Sequence, residues 1–529
     1  MTYTKPIFLC VFLPLAIIIY NIMPQKHRCK VLLISSYIFF WSISDKLIIY
    51  LLLTTAIMYG CGLLLNAKQE ERNEILKNIP KEQKKEIKAK YLRKQRIIVS
   101  ITSLVLIGIL AVLKYSKFFG TNINNLFEIL NIPIRMEIPK FIMPIGISFY
   151  TLQAVSYIID VYKEKIKADR NLGKLALFIS FFPQIMEGPI CRYEQTAESL
   201  WKCERTSYQR LTFGLQRILF GIMKKVLVVD RVNPFILEVF NNYNGYDGGI
   251  IAIGMILYTL QLYMDFSGVM DIVIGIGEIF GVTMPENFKQ PFFSKTISEF
   301  WTRWHITLGA WFRDYIYYPV SLTKKCKNLT SSARKKIGNY YGPLLASSIA
   351  LFCVWICNGL WHGSAWSYIF FGMYHFILIL LGRINEPIVK KINSKLHINN
   401  KNFAYKCLQI IKTTILVFFG ELFFRAISLR TGLKMCFKIF TEFSFNQIAN
   451  GKIFEMGIDM QDIIIMFVVV VIIFVISLLK EKGTNIREAI AKKNIVIRWS
   501  LYYALIIFTI LFGTYGLGVV PLDPMYANF

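Results

Sequence analysis

Glu299-Phe-Trp-Thr-Arg-Trp-His305 and Asn358-Gly-Leu-Trp-His-Gly363 stand at the two ends of one stretch, joined by Trp311-Phe-Arg-Asp314, Tyr317-Tyr-Pro319, a basic segment and an apolar run over 340–360. The run is long enough to cross a bilayer as a helix. Two of the five histidines lie here, each beside tryptophan. A chain that only had to dissolve in lipid has no need of imidazoles at the ends of a crossing, so the chemistry is expected here.

The same apolar period recurs outward from this stretch. Of 529 residues, 55% are hydrophobic and 18% charged, with a mean hydropathy of +0.46. Runs of about 20 apolar residues follow one another from end to end, which predicts an all-α polytopic membrane protein. The net charge is +28, from 61 Lys and Arg against 33 Asp and Glu. The basic residues cluster in short segments between apolar runs, as the positive-inside rule requires. No recognition motif accompanies them, so the charge points to a lipid bilayer and not to nucleic acid. The ten cysteines show no CxxC pair and no metal-ligand spacing, which predicts free buried thiols and no metal site. The first run, 7–23, lacks a small-residue cleavage site and reads as a retained helix.

Taken in order, 31–43 and 47–65 form a hairpin around Ser44-Asp-Lys46, and the charged segment 68–96, with Pro80 inside it, lies on the cytoplasmic surface. Run 97–113 crosses back. Run 139–162 returns with a kink or a broken helix at Pro144 and Gly146, and 178–190, holding Pro183, Glu187, Gly188 and Pro189, reads as re-entrant. Segment 207–229 is amphipathic and basic through Arg210, Arg217, Lys224 and Lys225, which predicts a place at the inner interface. Run 250–266 carries Gln261 and Asp265, costly in lipid and functional unless paired. Residues 324–336 read as a basic cytoplasmic loop. Runs 340–360, 366–381, 407–427, 462–479 and 499–519 complete the layout, which puts every strongly basic segment on one side. His305 then faces the cytoplasmic side, and His362 lies toward the outer half. The whole chain, 1–529, reads as one membrane domain of roughly 10 to 13 helices, broken ones included.

A neutral imidazole is well suited to take a proton from a hydroxyl near neutral pH. His362, between Gly359 and Gly363 and beside Trp361 and Trp366, fits that role; it equally fits a core histidine satisfied by a backbone carbonyl. His305 sits among Arg303, Trp304, Arg313 and Asp314, a set that suits either an interfacial aromatic belt or recognition of an anionic donor. Arg313 and Asp314 also read as a local ion pair. His27, His375 and His397 read as structural or surface residues. A transporter lined by polar residues and a scaffold for cell-envelope assembly are the non-enzymatic alternatives.

Further motifs then bear on the choice. Phe149-Tyr-Thr-Leu-Gln153, Ser156-Tyr-Ile-Ile-Asp-Val-Tyr162, Phe182-Pro-Gln184, Gly188-Pro-Ile190, Asp265-Phe-Ser-Gly268, Pro285-Glu-Asn-Phe288, Arg303-Trp-His-Ile306, Trp311-Phe-Arg-Asp-Tyr315, Asn358-Gly-Leu-Trp-His-Gly363 and Phe423-Phe-Arg-Ala426 occur in this order. In this the chain resembles the bacterial membrane-bound O-acyltransferases (MBOAT), and among them the AlgI-type polysaccharide O-acetyltransferases. The resemblance runs from about residue 144 to 426, leaving 427–529 as accessory helices. It implies helices around a central tunnel in the bacterial plasma membrane, where a cytoplasmic thioester, acetyl-CoA or an acyl carrier thioester, meets an acceptor hydroxyl. It implies His362 and His305 as catalytic, with Asn358, Trp361, Trp304, Arg303, Arg313, Asp314, Asp265, Gln153 and Gln184 as tunnel or substrate-binding residues. It implies no permanently bound cofactor, and as partners an extracellular polysaccharide and an extracellular acetyltransferase of the same pathway. Members that move D-alanine to teichoic acid, the DltB type, share the core motifs but are shorter. The chain departs from the family at Glu187 and in its ending, Pro524-Met-Tyr-Ala-Asn-Phe529.

Overall fold

A computed structural model of the protein describes residues 2–515 and 522; the departure at 524–529 lies outside them. Among the described residues the chain is helical, with one isolated antiparallel bridge between Phe288 and Trp304. The helices are α1 (Leu13–Ile22), α2 (Gln25–Ser44), α3 (Ile48–Asn78), α4 (Lys81–Ile129), α5 (Ile147–Tyr162), α6 (Leu172–Ser180) and α7 (Tyr193–Lys202). There follow α8 (Tyr208–Lys224), α9 (Asp230–Asn241), α10 (Gly248–Ile279), α11 (Ile297–Arg303), α12 (Ile306–Phe312), α13 (Tyr318–Ser321) and α14 (Lys324–His362). The last are α15 (Trp366–Lys395), α16 (Phe403–Arg425), α17 (Leu429–Thr441), α18 (Asn446–Ala449), α19 (Met460–Glu481), α20 (Ile486–Ala491) and α21 (Ile495–Phe512).

Among the described residues eight segments are long and apolar enough to cross a bilayer: α4, α10, α14, α15, α16, α19, α21 and the stretch Gln25–Asn78, which holds α2 and α3. The turn between α2 and α3 falls at Asp45, where the hairpin is expected. Pro80 stands at the N-cap of α4, fixing φ at −59° where no backbone N–H is needed. From there α4 runs unbroken for 49 residues, about 70 Å, so its charged first half extends past an apolar core of about 30 Å.

The structure corrects some of these expectations and decides between others. The basic segment 324–336 is helix and not loop, because Thr323 caps it by accepting from Cys326 N; the break comes later, at Gly338 (φ 85°). The run 139–162 is broken at Pro144 and Gly146, the second of the two expected outcomes, and not kinked within a helix. Its helix begins only at Ile147, after an irregular segment, and Gly146 at its N-cap takes φ 79° against the carbonyl of Ile185. Cys29 and Cys203 form a disulfide, with 6.1 Å between their Cα atoms, so not all ten thiols are free. Of the run 178–190, read as re-entrant, residues 178–180 end α6 and 181–190 are irregular and buried, the condition under which non-helical backbone is tolerated at membrane depth.

The described residues pack as two compact units. One comprises the chain up to Ile218 with Ile272–Pro285. Its core gathers Tyr3, Phe8, Phe39 and Phe182, with Tyr3 and Phe39 stacked at 5.3 Å and the Tyr3 hydroxyl donating to Phe182 O at 2.8 Å. Arg72 grips Glu164 with two nitrogens, at 2.7 and 3.0 Å.

The other unit comprises Leu219–Asp271 and the chain from Glu286 on. Its buried charges correct the interfacial reading of Lys224 and Lys225. Lys225 Nζ lies 3.0 Å from Asp265 and 3.4 Å from Asp230, and donates to Leu522 O at 2.6 Å. Lys224 pairs with Asp271 at 2.7 Å and donates to Ser267. Gln261 donates to Val229 O and Asn233, so the polar groups of α10 are met by α9 and the π-turn Lys225–Val229.

Removing one partner of a buried ion pair strands the other. Lys225→Met leaves Asp265 and Asp230 without their cation and is expected to cost about 3–5 kcal/mol. Thermal unfolding in detergent checks this, with Arg170→Ala, which removes an ion pair exposed on both sides, leaving the midpoint unchanged.

Candidate active site

His305 is held by a short clamp. Thr296 caps α11 by accepting from Glu299 N, and α11 ends at Trp304, whose backbone bridges Phe288. On either side of that bridge, Lys289 N donates to Arg303 O at 2.9 Å and Ile306 N to Asn287 O at 3.0 Å. The turn between them forces His305 into the left-handed region, φ 47° and ψ 51°. A side chain held there costs about 1–3 kcal/mol and persists only where its surroundings fix it.

Asn287 supplies the fixing. Its Oδ1 accepts from Thr307 N and Thr307 Oγ1, both at 3.0 Å, and lies 3.2 Å from His305 Nδ1. The Thr307 N–H can only donate, so it identifies that atom as the amide oxygen, and His305 Nδ1 must carry the proton. Nε2 is left with the lone pair. His305 is buried against Phe266, 4.7 Å away edge to face, and burial lowers its pKa from 6.5 to about 3. The ring is neutral across the physiological range.

His362 ends α14. Leu351, Val354, Trp355, Asn358 and His362 recur at helical spacing, so they share one face. The next helix, α15, folds back on α14 so closely that a Cβ at Gly359 falls 2.5 Å from Tyr368 O, and one at Gly372 collides with Trp355 O. Only glycine allows that approach. His362 is thereby buried with Phe424 at 5.1 Å and Phe371 at 5.9 Å. Trp361 lies between the two histidines, its ring 5.5 Å from His305 and 5.0 Å from His362.

Both imidazoles line one cavity of about 360 Å³, a size suited to a small ligand. Asn358, Trp301, Trp304, Trp355 and Arg313 share its wall. Two buried polar atoms of those residues have no hydrogen-bond partner among the described residues, Asn358 Oδ1 and Trp301 Nε1. Buried polar atoms are seldom left so; a substrate that brings a donor and an acceptor satisfies them.

Of the tunnel residues implied by the resemblance, Asn358, Trp304 and Arg313 are on this wall, and Trp361 stands behind it. Arg303 is not: it pairs with Glu299 at 2.8 Å and with Glu481 at 2.9 Å. Asp314 is engaged by Arg313 at 2.9 Å, the local ion pair. Asp265 is committed to Lys225 instead of the cavity. Gln153 and Gln184 belong to the other unit, where Gln184 donates to Phe178 O. Sequence reasoning missed Asn287, Trp301, Trp355 and Arg383. Trp355 had a readable signal, its place on the Asn358–His362 face; Asn287 stood in the motif Pro285-Glu-Asn-Phe288, but its contact with His305 depends on a bridge between segments. His375 is buried, 4.8 Å from Trp301 and stacked on Trp355, and lies off the wall. Among the described residues no group of three or more His, Cys, Asp or Glu is arranged to hold a metal ion.

Comparison with known proteins identifies the family. Residues 37–334 match the membrane-bound O-acyltransferase family, a range that includes His305 and ends before His362. The chain is 30% identical over 82% of its length, and 74% of the relative's, to "Probable alginate O-acetylase AlgI" of Pseudomonas syringae pv. tomato. It is 27% identical over 82% of its length, and 78% of the relative's, to the peptidoglycan O-acetyltransferase of Helicobacter pylori. Identity to the teichoic acid D-alanyltransferase of Bacillus subtilis is 32% but covers only 47% of this chain and 60% of that one. These findings set aside the transporter and scaffold readings. The chain belongs to the membrane-bound O-acyltransferase family: it is a multi-pass membrane enzyme that transfers an acyl group to oxygen.

Proposed function

We propose that the protein moves acetyl from a cytoplasmic thioester, acetyl-CoA, to a hydroxyl of a cell-wall or extracellular polysaccharide, directly or by loading an extracellular acetyltransferase, in the bacterial plasma membrane. The observation that carries this reading is the meeting of His305 and His362 on one cavity. The names of the relatives matched along most of the chain, an alginate O-acetylase and a peptidoglycan O-acetyltransferase, support acetyl and a glycan acceptor. His362 takes the proton of the acceptor hydroxyl as its oxygen attacks the thioester carbonyl. The C–S bond breaks on collapse of the tetrahedral intermediate, and the proton passes from the imidazolium to the departing thiolate. Trp301 Nε1–H is the donor available to the carbonyl oxygen as it gains charge, while Asn358 Oδ1 can accept from a substrate N–H or O–H. His305, with Nδ1–H tied to Asn287, offers the cavity an acceptor and no cation, which suits orienting a substrate N–H or O–H.

In nanodiscs with labelled acetyl-CoA, His362→Ala is expected to lower thiol release and glycan labelling by about 10²–10⁴-fold with an unchanged thermal midpoint. A variant that keeps the wild-type rate overturns the assignment of the base.

His305 yields a pH signature in stability. The unfolded chain protonates this group below about 6.5, whereas the folded protein does not until about 3. Its contribution is therefore fully present above pH 6.5 and is lost as pH falls toward 3. Between pH 8 and 5 the wild type loses up to about 2 kcal/mol through this group. His305→Gln is expected to show a correspondingly smaller fall in thermal midpoint over the same range.

A further inference from the structure

The cavity has a buried end and an open one. His305, Asn358 and His362 are 2%, 7% and 5% exposed. At the other end the side chain of Arg313 is 57% exposed and Tyr318 is 48% exposed, and with them Arg383 of α15 reaches the wall. The two arginines differ. The guanidinium of Arg313 is already matched to Asp314 through Nε at 2.9 Å. Arg383 is half-buried, and its side chain makes no ion pair or hydrogen bond among the described residues. The carboxylate one turn on, Glu386, is engaged by Lys390 at 2.6 Å and by the Tyr340 hydroxyl at 3.1 Å. The Arg383 charge is felt by Glu386 but is not in contact with it, and a half-buried guanidinium whose donors are not taken by a carboxylate, on the wall of a cavity, is suited to an oxyanion.

The distance between the two ends narrows the choice of anion. The Tyr340 hydroxyl donates to Arg383 O at 2.8 Å, so Arg383 is anchored beside a residue about 33 Å of helix before His362. α15 runs antiparallel to α14, and side chains lean toward the N-terminus of their own helix. Arg383 therefore leans along α15 toward His362, and His362 leans back along α14, which brings the two groups to on the order of 20 Å apart. The arm of phosphopantetheine, about thirteen bonds from phosphorus to sulfur, extends about 15 Å by the dimensions of an extended chain. With the phosphate on the guanidinium, the thioester carbonyl falls at the imidazoles.

We propose that Arg383 binds the phosphate that ends the pantetheine arm of the thioester donor and so sets how far the acyl group reaches into the cavity. This rests on the thioester-donor reading above. The shared chemistry is a phosphopantetheine thioester, whether the phosphate belongs to CoA or to a carrier protein. The basic residues of α14, Lys324, Lys325, Lys327, Arg334, Lys335 and Lys336, raise the local concentration of either anion.

The test uses the full chain in nanodiscs, wild type beside Arg383→Ala and Arg383→Lys. Its donors are acetyl-CoA, acetyl-phosphopantetheine, acetyl-pantetheine lacking the phosphate, and an acetylated carrier protein. Arg383→Ala is expected to raise KM for the phosphate-bearing donors by about 10- to 100-fold with little change in kcat. Acetyl-pantetheine is expected to show the same high KM with both proteins, and Arg383→Lys to recover part of the loss through its point charge. An effect confined to acetyl-CoA, or confined to the carrier, supports the proposal and identifies the source of the phosphate. An equal rise for acetyl-pantetheine, or an unchanged KM for every phosphate-bearing donor in a variant of wild-type thermal midpoint, overturns it. Should the wild type release thiol from none of these donors, the thioester reading fails, and the assignment of Arg383 fails with it.

Discussion

The close approach of α14 and α15 is the constraint on which the rest of the site depends. Two helices cannot meet at Gly359 and Gly372 if either bears a Cβ, and because they do meet, the end of α14 is pressed among Phe371, Phe424 and Trp361. That pressure holds His362 away from water. It also turns the face carrying Leu351, Val354, Trp355 and Asn358 toward the cavity, so one helix supplies much of the wall.

The second histidine is placed by a different device. α14 reaches His362 through regular hydrogen bonding, whereas His305 stands at a turn between two short helices, in a backbone conformation that its own side chain disfavours. The carboxamide of Asn287, taking hydrogen bonds from both Thr307 donors and the His305 ring, offsets that cost and fixes the tautomer. One imidazole is thus positioned by packing and the other by a polar clamp. Apart from Trp361, which touches both rings, the two depend on different residues.

Charge in this unit divides between structure and site. Lys224, Lys225, Asp230, Asp265 and Asp271 are spent on one another, satisfying groups that apolar surroundings do not tolerate alone. Arg303 is spent in the same way on Glu299 and Glu481. The charges left to the cavity are at its open end, where water lowers the cost of holding them.

By itself the sequence determined the class of the protein, its membrane helices and its family, and it singled out His362 and His305, which the fold brings to one cavity. Runs of apolar residues can satisfy their backbone in lipid only as helices, and an imidazole flanked by glycine and tryptophan at the end of a crossing is visible in one dimension. Asn358 was legible for the same reason, since it shares a helix face with His362. Only the tertiary structure decided which polar residues serve the cavity. Asp265 and Lys225 look like functional charges until they are seen to neutralise each other across 40 positions of sequence. Asn287 looks like one more amide in a loop, and Arg383 like one more residue of a basic cytoplasmic segment. Whether a charge or an amide is free for a substrate depends on which partners the fold brings within about 3 Å of it, and local sequence does not encode that distance.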